Sequence, residues 1–120
     1  LLTELDTAHL VDEIEDMGAN SRRAMESYLR NVMLHLLKWR YQPERRGTSW
    51  RLSIRDGRHQ LTKRVKDSPS LRPKIPDMIT DEYSLAREYA AAETGLPLVI
   101  FPDQCPFTVE QLLDVEYWPG

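Results

Sequence analysis

From Leu10 to Trp39 the apolar residues keep one helical phase without a slip. Leu10, Ile14, Met17, Met25, Tyr28, Val32, Leu36 and Trp39 recur at spacings of three, four or eight, which lines one face of a 3.6-residue helix, and Leu29 is also expected in the core. No window alternates apolar and polar residues strictly enough to suggest a pair of strands. That phase constrains the fold more than any other feature and points to an all-α chain.

Gly18, followed by "ANS", offers a place for the first helix to end. Against a break, Glu15 and Asp16 would then sit at a helix C-terminus and Arg22 and Arg23 in a first turn. Both are the wrong sign for the helix dipole. The reading favours one long helix, with two shorter ones as the alternative. Asp6 is placed as its N-cap, with Leu5 and Leu10 as a staple across it. Asp12, Glu13, Glu15 and Asp16 take the face opposite the apolar stripe.

Pro43 closes this helix, and residues 42–47 make an elbow. Thr48 or Ser49 can cap the next helix, which carries Trp50, Ile54, Leu61 and Val65 inward. Arg51, Arg55, His59, Lys63 and Lys66 fall outside that stripe. Three prolines at 69, 73 and 76 stiffen the following link into, at most, a short helical turn. Ile75, Met78, Ile79, Tyr83, Ala86, Tyr89 and Ala90 mark a third helix, which Gly95 stops in the left-handed conformation. "LPLVIFPDQCPF" holds too many prolines for a helix, and Val99, Ile100 and Phe101 are expected to pack over the bundle as extended coil. Thr108 and Gln111 form a capping box for a short helix from Val109 to about Asp114, with Phe107 and Leu112 as its staple. Tyr117 or Trp118 is expected to anchor the end. The predicted fold is a small helical bundle of three main helices, or four if Gly18 breaks the first. A short C-terminal helix and a Pro-rich extended segment complete it, in a single domain over residues 1–120.

A length of 120 residues suits one domain, and 41% hydrophobic residues is too apolar for a disordered chain. No run approaches the ~18 uncharged apolar residues of a membrane-spanning helix. A lone cysteine, Cys105, permits no internal disulfide and fits a reducing compartment, so the cytoplasm is the expected location. The chain begins with Leu1 rather than Met, so an N-terminal piece is expected to precede it.

The net charge of −3 is spread unevenly. Residues 1–37 carry three basic and seven acidic side chains, residues 38–66 ten and two, and residues 67–120 three and ten. A +8 island thus stands between flanks of −4 and −7. Lys38, Arg40, Arg45, Arg46, Arg51, Arg55, His59 and Lys63 are its candidate binding residues. The bland reading is a solvated helix face, balanced by nearby carboxylates. The functional reading favoured is a non-catalytic interaction module that meets an acidic protein surface or a second copy. The alternative is nucleic-acid binding, with phosphates on the cations and unpaired bases stacked on exposed aromatic rings. An overall acidic chain is opposite to the usual nucleic-acid footprint.

Arg58 lies between the inner stripe and the outer face of its helix, beside Gly57. A structural ion pair to Glu13 or Asp16 is the expected role. A third class, a metal-dependent enzyme, would use the acidic first helix, where His9 and Glu13 share a face, as do Asp12 and Asp16. The paired Glu-x-x-His repeat of di-metal bundles is missing, so no metal and no cofactor are assigned. Cys105 has no base beside it in sequence, and the Gly-rich phosphate loop, nucleophile elbow and paired zinc ligands are all absent, so no catalytic residue is named.

The segments "IEDMG", "HLLKWRYQPERR", "DSPSLRP", "AAAETGLPL", "FPDQCPFTVEQLLD" and "YWP" follow in this order. Together they resemble the bacterial domain-of-unknown-function family numbered twenty-nine, small proteins abundant in cyanobacteria. The resemblance spans Leu5 to Pro119. It implies a mainly helical cytoplasmic domain, and relatives that carry a further N-terminal segment. It implies no reaction and no assigned catalytic or binding residues.

Overall fold

The structure is a computed structural model that describes the backbone of residues 2–120 and the side chains of residues 20–120. Four α-helices follow one another: α1 (Leu2–Tyr41), α2 (Thr48–Asp67), α3 (Ile75–Thr94) and α4 (Val109–Leu113). Short 3-10 turns at Pro43–Arg45, Pro69–Lys74 and Leu98–Ile100 fill three of the connections. No strand occurs among the described residues. α1 runs unbroken through Gly18, as the charge pattern favoured, because a break would place carboxylates at a negative helix end. It also begins at Leu2, so Asp6 lies within the helix and is not its cap.

α1 is the central element. Met25, Leu29, Val32, Leu36 and Trp39 are buried as predicted, but so are Met33, Leu34 and Leu37. A helix apolar on so much of its circumference has a neighbour on more than one side. α2 packs against one flank of α1 and α3 against another. Arg30 meets Glu82 at 2.8 Å, Lys38 approaches Glu93 at 3.9 Å, and Gln42 Nε2 donates to the Thr94 carbonyl at 3.2 Å. These pairs advance together, so α1 and α3 run parallel, and the elbow sends α2 back antiparallel to α1.

Ile54, Leu61, Met78, Ile79, Tyr83, Ala86, Ala90 and Leu112 complete the predicted core, joined by Leu71, Ile75, Phe101 and Phe107. Leu10, Ile14 and Met17 lie outside the described side chains. Trp50 and Val65, expected inside, are half-buried, and Tyr89 is exposed. Gly47, not Thr48 or Ser49, is the N-cap of α2; its extended backbone carries no side chain to close the first turn. Gly95 ends α3 at φ 75°, and the Thr108–Gln111 capping box opens α4, both as expected. The Pro-rich segment departs from expectation. Val99 is 82% exposed and Ile100 is also open, so Phe101 alone of the three packs inward. A 3-10 turn at Leu98–Ile100 stands where extended coil was expected.

A basic cleft between α2 and the C-terminal tail

The ten cations of residues 38–66 do not form one surface. Three of the nine predicted site and ion-pair residues hold the molecule together. Lys38 is buried, with its ammonium 4.9 Å from the centre of the Trp50 ring and 3.9 Å from Glu93. Arg46 donates from Nε to the Trp39 carbonyl and from Nη2 to the Gly120 carbonyl, both at 2.7 Å. Its guanidinium also lies 5.1 Å from the Trp39 ring. The carbonyls of Trp39, in the last turn of α1, and of Gly120 thus share a single cation, which ties the tail to the elbow.

Arg58, only 1% exposed, is the third. The expected partners Glu13 and Asp16 lie outside the described side chains, and two of the guanidinium nitrogens bind backbone carbonyls. Nε donates to the Leu112 carbonyl at 3.1 Å and Nη2 to the Gln111 carbonyl at 2.8 Å. These carbonyls belong to the last turn of α4, whose negative dipole end and orphan acceptors a cation satisfies. Burial is the main influence that lowers the Arg58 pKa below the ordinary arginine value, opposed by Asp114. Sequence spacing placed this arginine between core and surface but gave no sign that a five-residue helix would arrive beside it.

The other predicted residues are displayed. Arg40, Arg45, Arg51, Arg55, His59 and Lys63 are exposed, as is Lys66. None forms an ion pair with a carboxylate among the described residues. Arg51 leans over Trp39, 5.5 Å from its ring, while Trp39 meets Trp118 at 4.6 Å between ring centres. Trp118 in turn lies 5.7 Å from the Arg58 guanidinium. Cation and ring contacts of this kind fix the tail against α2. Tyr117 packs edge-on to Phe107, so both expected anchors serve.

Between α2 and this tail lies a cleft of about 680 Å³. Arg51, Arg55 and His59 form its α2 wall, and Leu52, Val115 and Trp118 supply open apolar surface. Glu116 is on the tail side. Trp118, Leu52 and Val115 were not singled out from the sequence as site residues. Leu52 falls off the inward stripe of its helix, which was the available signal.

A second cleft, of about 580 Å³, lies between α3 and residues 103–109. Several of its polar groups are engaged. The Tyr83 hydroxyl donates to the Pro102 carbonyl at 2.6 Å, and burial pushes its pKa up to about 12. The Cys105 thiol donates to the Phe107 carbonyl at 3.5 Å, and burial raises its pKa. A thiol held protonated is a weak nucleophile. No metal-binding group of three His, Cys, Asp or Glu side chains occurs among the described residues; His9, Asp12, Glu13 and Asp16 lie outside them. No described helix is long and apolar enough to cross a membrane.

The chain is therefore an all-α helical bundle in which a tail strapped across α2 leaves a basic, partly apolar cleft. It belongs to the family described as "Domain of unknown function DUF29", whose model matches residues 1–118. No curated protein and no solved structure matches the chain.

Proposed function

We propose that this chain is a non-catalytic interaction module that docks an acidic protein surface on the outer side of α2. The supporting observation is the row Arg51, Arg55, His59, Lys63 and Lys66. These residues are exposed and unpaired among the described residues, beside the open apolar surface of Leu52, Val115 and Trp118. Carboxylates on the partner would find cations spaced one helical turn apart, and its apolar side chains would cover Trp118 and Leu52. Electrostatics of this kind steers encounter and sets register, while the apolar contacts slow dissociation. Acidic flanks on the same chain oppose nucleic acid at long range. Nucleic-acid binding remains the second reading because an exposed indole beside arginines also suits base stacking.

The test is an NMR titration with a synthetic acidic amphipathic helix of Glu and Leu, and in parallel with a short single-stranded oligonucleotide. The peptide should shift amides of α2 and residues 115–118. Arg51→Glu with Arg55→Glu should weaken it at least tenfold, with the thermal melt lowered only by what the lost Arg51–Trp39 contact costs. Binding of the oligonucleotide instead, with log K falling against log salt at a slope of about −3 to −4.5, would replace the protein reading. Binding of neither at ~50 mM salt ends both.

A further inference from the structure

The acidic material available to such a cleft is distributed unequally along the chain. Four carboxylates of residues 67–120 are already taken: Glu82 by Arg30, Glu93 by Lys38, Asp103 by Arg87 and Glu110 by Arg72. Residues 1–19 contain six acidic residues and no lysine or arginine. The same block carries Leu10, Ile14 and Met17 at helical spacing, and α1 is helical from Leu2. At 1.5 Å per residue the 40 residues of α1 span ~60 Å, against ~30 Å for the 20 residues of α2 or α3. The buried α1 residues described run from Met25 to Trp39.

On a helix with 100° per residue, Glu13 and Asp16 lie one turn apart on the acidic face, with Glu13 at its border with the Leu10, Ile14, Met17 stripe. The cleft offers the counterpart. Arg51 and Arg55 stand one turn apart on its wall, beside Leu52, Val115 and Trp118. We infer that residues 10–17 of a second copy occupy this cleft, in a reciprocal dimer where each α1 lies in its partner's cleft. This rests on the docking reading above and names its partner. Exchange in both directions is self-complementary, so a two-fold axis closes the assembly at two subunits rather than leaving an open chain.

Charge exchange provides the test, read by sedimentation equilibrium of the full chain at ~50 mM and ~500 mM salt. The wild type should be dimeric at the lower salt and dissociate at the higher. Glu13→Lys with Asp16→Lys confronts lysines with the arginine wall, and Arg51→Glu with Arg55→Glu confronts carboxylates with carboxylates. Each double variant alone should dimerise at least tenfold more weakly. Mixed one to one, they restore opposite charges at both contacts and should form a heterodimer. Circular dichroism should show both variants as helical as the wild type. A wild-type chain that is monomeric at both salts overturns the inference, as does a variant that dimerises normally or a mixture that stays monomeric. If the acidic peptide still binds the cleft in those cases, docking survives and self-docking falls. If the peptide also fails, both fall.

Discussion

Gly57 stands where α2 comes closest to α1. A Cβ built there would lie 2.5 Å from Cγ2 of Val32, which is buried and β-branched. Val32 has essentially one rotamer in a helix, so it cannot swing aside. Gly57→Ala gains about 1 kcal/mol of helix propensity and incurs about 1–3 kcal/mol of overpacking. Overpacking should win, and urea melts should show a net loss that is smaller when Val32→Ala is added than the two single losses predict. Arg58 is as constrained by hydrogen bonding as Gly57 is by space. Arg58→Leu leaves two α4 carbonyls without their donor and should cost about 2–4 kcal/mol by chemical denaturation. Arg58→Lys should not restore stability, because one ammonium lacks the forked donors that reach both carbonyls. His35 supplies a pH dependence. Burial, then Lys38, hold its pKa below the ordinary 6.5, against the Nδ1 hydrogen bond to the Asn31 carbonyl at 2.8 Å and nearby Glu93. The unfolded chain therefore binds the proton more readily than the folded one. The associated stability is full above pH 6.5 and is lost as pH falls from there toward the folded-state pKa. His35→Gln should flatten that part of the stability–pH curve relative to wild type.

At the scale of elements, the Pro-rich segment shows how a stretch without regular structure is positioned. The Tyr83 hydroxyl holds the Pro102 carbonyl, Arg87 Nε donates to the Phe101 carbonyl at 3.1 Å, and Arg87 also meets Asp103 at 3.0 Å. Both donors come from one face of α3, so the helix fixes the loop through backbone acceptors and not through the loop's own side chains. Tyr83→Phe together with Arg87→Met should free residues 98–104 and make them the first site of limited proteolysis, with helicity by circular dichroism retained. The same elements show what could be read from sequence. Gly95 and the Thr108–Gln111 box were legible because a left-handed stop and a reciprocal cap are local, encoded within four residues. Burial of Met33, Leu34 and Leu37 was not, since a stripe reports one neighbour and α1 has two. The exposure of Val99 and Ile100 was hidden for a related reason, as apolar character alone does not say which side a turn presents. The positive island was visible as composition. Its division into Lys38, Arg46 and Arg58, which brace the fold, and Arg51, Arg55 and His59, which face the cleft, depends on where the tail lies.

For the molecule as a whole, the cleft is assembled from parts with separable energetics, and this division can be measured. Trp118 belongs to the fold as well as to the cleft: it packs on Trp39 and lies beside Arg58 while remaining 37% exposed. Arg55 is exposed and takes no part in the described ion pairs. Surface substitutions away from such contacts usually change stability by less than about 0.5 kcal/mol, whereas losing part of an aromatic cluster costs about 1–2 kcal/mol. A chain of this length shifts its Tm by roughly 3–6 °C per kcal/mol. Trp118→Ala should therefore lower both Tm and affinity for the acidic peptide, while Arg55→Glu should lower affinity with Tm nearly unchanged. The two effects differ in salt dependence as well. The Arg55 loss should shrink at ~500 mM salt, where exposed charges are screened within about 4–5 Å, and the Trp118 loss should persist. If Arg55→Glu depressed Tm as much as Trp118→Ala, that arginine would be part of the scaffold and unavailable to a partner. The basic face would then be the solvated flank of a helix, balanced from within, and the docking proposal would lose its central cation.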